Sequence, residues 1–237
     1  MTWSIIARDA PTGRIGIAVA TCAFAVGARG PHIKTGAGAV ATQAQTNINF
    51  GSRGLVLLTA GVTADDCLRL LLDADPGRSH RQVHAMDAKG RFAARTGTDC
   101  VPWCGSVTGP GFSIAGNMLA GPQVLDATAK ALEANPALPF ARRLIAALVA
   151  GEAVGGDKRG RQSAALLIHD GEEHAALDLR VDDHADPLAE LARLEAVARQ
   201  GFVHARRYGP TRANPAGLID PAERAAAIQR SIDEGYE

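Results

Sequence analysis

Three times along this chain, two β-rich runs flank a short segment of turn residues, and pairs of helical segments fall between these hairpins. Residues 3–8 and 14–21 flank Asp9-Ala-Pro-Thr-Gly13, residues 80–86 and 91–96 flank Asp87-Ala-Lys-Gly90, and residues 163–169 and 175–181 flank Asp170-Gly171. A short turn can join only antiparallel neighbours, because a parallel pair needs a crossover of about a dozen residues or more. Further strands are predicted over residues 36–43, 101–108 and 111–115, with a loop over 22–31. Leucines recur at helical spacing over 54–60 and 64–72, where Thr63 and Asp66 form a capping box. Two longer helices follow over 122–134 and 139–150, split by Asn135-Pro136 and stopped at Gly151, and another spans 187–199. Strands and helices thus come in blocks. That order predicts an α+β fold in which antiparallel sheet is layered with helices.

No internal repeat and no second domain interrupt this pattern. From Gly201 the apolar periodicity weakens across Pro210, Asn214 and Pro215, so residues 1–200 read as one domain. Residues 201–237 read as a tail with one helix over 221–232. With 237 residues, 46% apolar but 4% aromatic, the chain must build its core from Ala, Val and Leu, which suits close helix-on-sheet packing. Acidic and basic residues balance at 25 each. Such a chain has no basic field to hold a phosphate backbone, so nucleic acid is not an expected partner. Neither a membrane-length apolar run nor a charged-then-apolar leader occurs, so no membrane partner and a cytoplasmic location are expected. Cys22, Cys67, Cys100 and Cys104 read as thiols. The last two are spaced C-x3-C, with no second pair or nearby histidine to complete a zinc set, and no metal is implied.

Thr2 is the residue with most chemistry in reach. Removal of Met1 before a small residue would leave Thr2 holding both a hydroxyl and an α-amine. A free α-amine titrates near about 7.7–8.0 and can act as base for its own hydroxyl. The plain alternative is a β-branched residue opening a strand. Ser4, on the same strand face, and Cys22 are second choices, since neither can use an α-amine. Asn117, placed after a strand and before a helix, reads either as an oxyanion donor or as a helix cap. Thr42 and Gln43 close a strand of small residues and could line the same cleft. Asp182-Asp-His184 could serve as a metal pair or base dyad, but turn and cap chemistry explains it as well.

Five stretches together resemble one bacterial family of unknown function, catalogued as domain of unknown function 1028. They are Thr2-Trp-Ser-Ile-Ile-Ala-Arg-Asp9, Gly38-Ala-Val-Ala-Thr-Gln43, Gly116-Asn-Met-Leu-Ala-Gly121, Gly155-Gly-Asp-Lys-Arg-Gly-Arg-Gln-Ser-Ala-Ala165 and Leu179-Arg-Val-Asp-Asp-His184. The resemblance runs from residue 2 to about residue 194. It implies the N-terminal-nucleophile (Ntn) hydrolase architecture, a four-layer αββα sandwich of two antiparallel sheets. It also implies an amidohydrolase acting on a small amide-like C–N bond, with no cofactor and with a small-molecule substrate; a homodimer is compatible with it. Thr2 would be the nucleophile, and Asn117 with backbone N–H groups, those around Gly38 among them, would hold the oxyanion. Asp157 and Ser163, at changed spacing, resemble the Asp and Ser of proteasome-type relatives that orient the amine. Thr42 and Gln43 would line the substrate site; Lys34 would join them where a proteasome-like lysine lowers the nucleophile's pKa, a role the resemblance does not secure, and an exposed loop lysine is the plainer reading. A non-catalytic ligand-binding or assembly protein on the same fold, or a cysteine enzyme centred on Cys22, remains the alternative.

Overall fold

The computed structural model describes residues 2–235; Met1, and with it the question of its removal, lies outside the described residues. Ten strands form two antiparallel sheets, and seven α-helices accompany them among the described residues. The first hairpin is β1 (Thr2–Arg8) and β2 (Ile15–Thr21), closed at the Asp9–Gly13 turn where Gly13 N–H bonds the Asp9 carbonyl. β7 (Gly105–Gly109) and β8 (Phe112–Asn117) form a second hairpin, and β9 (Ser163–His169) and β10 (Leu177–Val181) a third. These six strands lie in the order β10-β9-β2-β1-β8-β7. The smaller sheet runs β3-β4-β5-β6, from β3 (Pro31–Lys34), β4 (Gly38–Ala44), β5 (Arg81–Asp87) and β6 (Phe92–Thr96).

Side-chain alternation sorts every central strand into two faces. Trp3, Ile5 and Ala7 of β1 join Ala18, Ala20, Ile114 and Leu166 in a core beneath α3 (Gln123–Ala134), α4 (Phe140–Ala153) and α5 (Pro187–Gln200). Ile6, Ile17, Ile33, Ala39, Ala41 and Met86 fill the space between the two sheets. Val40, Val83 and Ala85 face outward to Phe50, Leu58, Cys67 and Leu68 of α1 (Asn49–Thr59) and α2 (Ala64–Asp73). Helix, sheet, sheet and helix therefore stack as four layers, the αββα sandwich expected from the resemblance. Close approach relies on small residues, as the composition required. A Cβ on Gly16 would stand 2.6 Å from Leu144 Cδ1, so glycine there lets α4 settle onto β2.

Most predicted elements appear within a few residues of their expected bounds, and Thr63 caps α2 by accepting from Asp66 N–H at 3.1 Å. The differences are local. Residues 101–104 are not strand, and Pro31–Lys34, for which the sequence predicts no strand, pairs with β4 at the edge of the smaller sheet. The tail holds α6 (Phe202–Arg206) besides α7 (Pro221–Glu234). It is anchored: buried His204 meets Ser231 Oγ at 2.9 Å and the Arg199 carbonyl at 3.0 Å. No helix among the described residues is long and apolar enough to cross a membrane.

Candidate functional site

The register of the larger sheet places Thr2 directly opposite Asn117, and Thr21 opposite Ser163. The hydroxyl of Thr2 reaches that of Thr21 at 3.1 Å, so Asn117, Thr2, Thr21 and Ser163 form one row across four strands. All face the space between the sheets, at the end where β4 also finishes. There a cavity of about 260 Å³ is lined by Thr2, Thr42, Gln43, Asn117 and the polar side chains of Arg29, His80, Asp99 and Arg159. Four residues that the sequence had pointed to thus share one wall.

Behind Thr2 the two sheets are joined by a fully buried polar network whose donor directions can be read in sequence. Gln82 Nε2 donates to the carbonyls of Gly105 and Gly116 at 3.1 and 2.8 Å, which turns its Oε1 toward Gln43 and Asn117. Gln43 Nε2 donates to that Oε1 at 2.8 Å and to the Ala115 carbonyl at 3.0 Å. Gln43 Oε1 must then accept, and it takes the Ser4 hydroxyl at 2.6 Å. Ser4 has one proton and has given it, so His84 Nε2, 2.8 Å away, is the donor to Ser4. His84 Nδ1 is left to accept from Ser113 Oγ at 3.0 Å. Complete burial of the imidazole pushes its pKa down to about 3, so this neutral tautomer holds across the physiological range.

The same network corrects the two readings of Asn117. Its Nδ2 donates to Gln82 Oε1 at 3.0 Å and to the Thr2 carbonyl at 3.4 Å, so both amide hydrogens are already directed into the protein rather than at the cavity. It is not a helix cap either, since α3 begins at Gln123 with Pro122 before it. Asp157 is buried and spends its carboxylate on Cys22 N–H at 2.7 Å, Arg159 N–H at 2.8 Å and the Arg159 guanidinium at 3.2 Å. Ser163 donates to the Ala23 carbonyl and accepts from Val26 N–H at 3.1 Å. Both side chains therefore pin the loop that follows Thr21 and carries Ala23 and Val26 into the cavity wall. Thr42 contributes to the wall, but its hydroxyl bonds the Asn47 carbonyl at 3.3 Å.

Lys34 is a correction. It ends β3 opposite Gly38, four residues along the ladder from the Thr42–Gln43 end, and stands exposed at the far side of the sandwich. Gly38 lies there too, so its N–H is not placed to serve Thr2. A sequence interval of about thirty residues says nothing about which end of a strand a side chain reaches. Asp182 pairs with Arg180, Asp183 accepts from Gln162, and His184 Nδ1 accepts the Asp186 N–H, which is turn chemistry. Among the described residues no three His, Cys, Asp or Glu side chains converge as a metal site.

The missed participants are Thr21, Gln82 and His84, with the cavity arginines. Gln82 and His84 had a signal: two polar residues at period two inside the apolar run Gln82-Val-His-Ala-Met86. Backbone geometry offers another. Ala25, Ala44 and Met118 are non-glycine residues with φ of 54°, 68° and 55°. Ala44 and Met118 line the cavity, and Ala25 lies between two residues that do. Left-handed alanine or methionine is uncommon, and such strain tends to collect where a site needs an unusual backbone direction.

The model for a family of unknown function, DUF1028, matches residues 2–191. The crystal structure of protein SPO2555 from Silicibacter pomeroyi, assigned to the same family model, is 36% identical. It covers 92% of this chain and 96% of its own, with a TM-score of 0.86. Anbu, the ancestral beta-subunit from Yersinia bercovieri, aligns over 84% of this chain and 97% of its own at 11% identity and a TM-score of 0.39. No curated protein matches. The chain belongs to the family of unknown function DUF1028.

Proposed function

We propose that this protein is an amidohydrolase of the N-terminal-nucleophile type, with Thr2 as nucleophile. The observation that carries the reading is that Thr2 opens a central strand and lines a polar cavity of about 260 Å³, its hydroxyl bonded to that of Thr21. Loss of Met1 would put an α-amine on the same residue. The Thr2 Oγ1 would attack the amide carbon, its proton passing through the α-amine to the leaving nitrogen as the C–N bond breaks. The amine would leave at that step, and water would then cleave the resulting ester, releasing the acid and restoring the hydroxyl. Thr21 orients the nucleophilic oxygen. With Asn117 turned inward, the oxyanion donor is better sought in the backbone. Thr46, at the cavity edge after left-handed Ala44, has an N–H with no acceptor among the described residues.

The engaged amide of Asn117 also gives weight to a second reading, a ligand-binding protein that keeps the fold without the chemistry. Intact mass and turnover separate them. The catalytic reading expects a mature mass lacking one methionine and a kcat/KM that rises with pH through about 7–8. It also expects loss of turnover in Thr2→Ala with the melting temperature preserved. Retained Met1 with full turnover, or an active Thr2→Ala protein, rules it out.

A further inference from the structure

We infer that the substrate carries a carboxylate, held by Arg29 while the scissile amide lies at Thr2; the inference rests on the amidohydrolase reading and names its substrate class. Arg29 follows the short helical turn after β2 and lies two residues before the start of β3. The Gly30 carbonyl accepts the Thr42 N–H at 3.1 Å, which continues the β3–β4 ladder and sets Arg29 beside the Gln43 end of β4, the end that touches Thr2. Arg29 lines the cavity and is half-buried as a residue. Of its five N–H donors, one meets a protein acceptor among the described residues, the Phe24 carbonyl at 2.5 Å.

Comparably half-buried arginines elsewhere are matched to acids: Arg81 to Asp75 at 2.9 Å, and Arg143 to Asp9 at 2.5 Å. Arg29 faces no carboxylate among the described residues. A guanidinium stays charged at any accessible pH and offers a planar fork of donors, so one without a counter-charge in a cavity wall suits an anion. The rest of the wall agrees. Arg159 adds a second cation, exposed at the rim and held by Asp157 at 3.2 Å. The acid lining the cavity, Asp99, is turned to His80 Nε2 at 3.7 Å and the Thr98 hydroxyl at 3.4 Å. At about 260 Å³ the cavity is of the size that takes a small molecule. A planar fork suits the two oxygens of a carboxylate.

The test is calorimetric binding of N-acyl amino acids and their matched terminal amides to the full chain, both as the parent and as Thr2→Ala, in which no acyl transfer can follow. The carboxylates should bind at least about tenfold tighter than the amides. Arg29→Gln should weaken the carboxylates by about 10- to 100-fold and leave the amides unchanged, with Arg29→Lys between the two. Equal binding of acids and amides, indifference to Arg29→Gln in a folded protein, no binding by any carboxylate, or inorganic phosphate competing as well as the acids would each overturn the assignment. Because binding is read without turnover, an inert Thr2 and a wrong substrate class give different results. A Thr2→Ala protein with undiminished turnover but Arg29-dependent binding would sink the nucleophile and spare the carboxylate site.

Discussion

Thr2 and Asn117 face each other across one rung of the ladder, and chemistry alone does not distinguish their roles. Both carry groups that acyl transfer uses. What separates them is where their hydrogens point. The Thr2 hydroxyl meets another hydroxyl at the cavity wall, while the Asn117 amide is one end of a chain of buried donors running through Gln82, Gln43, Ser4 and His84. Substituting Asn117 with aspartate would set an acceptor against Gln82 Oε1 and the Thr2 carbonyl. We expect a loss of about 1–3 kcal/mol in urea denaturation, the usual cost of a buried polar atom left without its partner. An Asn117→Asp protein as stable as the parent would mean the amide is not bound as described. Asn117 would then return as an oxyanion donor, to be judged by a fall of about 100- to 1000-fold in kcat.

At the scale of elements, β4 and β5 bring the polar network to Thr2, and both depend on how their ends are built. β4 starts at Gly38 with φ of 138°, and a Cβ there would overlap the Met86 carbonyl oxygen of β5. Gly38→Ala cannot relieve this by moving a side chain. The β4–β5 ladder must open, so Gly38→Ala is expected to lose more stability than the roughly 1 kcal/mol that glycine-to-alanine changes gain where the backbone is compatible. A melting temperature within error of the parent would show that this ladder is more yielding than the structure implies. Because Gly38 lies at the far end from the cavity, any Gly38→Ala protein that folds should keep its ligand affinity. β3 went unpredicted because its four residues, Pro-His-Ile-Lys, are too short for period-two alternation to stand out. It forms only because β4 supplies a partner.

For the whole molecule, burial of histidines sets the response to acid. His84 is pushed down to about 3, and His32 and His169 are lowered as well, in each case chiefly because burial disfavours the imidazolium. In the unfolded chain these groups take up protons near pH 6.5, whereas in the native state each does so at lower pH, His84 only near 3. The unfolded state then binds more protons, so this stability is fully present above about pH 6.5 and drains away as pH falls toward 3. Asp75, held near 2 by Arg81, adds a loss of the same sign that begins lower, below about pH 4. Urea midpoints should therefore fall steeply from pH 7 to pH 4. His84→Gln should be less stable at pH 7 but flatter over that window. A parent whose midpoint stays constant between pH 7 and pH 4 would show that His84 protonates without opening the sandwich.

Local chemistry carried much of this protein. Hairpin turns at Asp9–Gly13 and Asp87–Gly90, the Thr63 cap and the alternation of Trp3, Ile5 and Ala7 against Thr2, Ser4 and Ile6 are decided within a few residues of chain. Turn geometry, capping and the two-residue period are short-range physics, legible without knowing what lies opposite. The candidacy of Thr2, and of Thr42, Gln43 and Asn117 as neighbours in one cleft, came from residue type and motif, and the ladder placed them together. What the tertiary structure alone decided was register and direction. Which end of β3 Lys34 would reach, which way the Asn117 amide turns, and whether Arg29 meets a carboxylate depend on pairings between strands up to more than a hundred residues apart in sequence. No local preference encodes those pairings, because each is selected by the buried surface and hydrogen bonds of the assembled sheets.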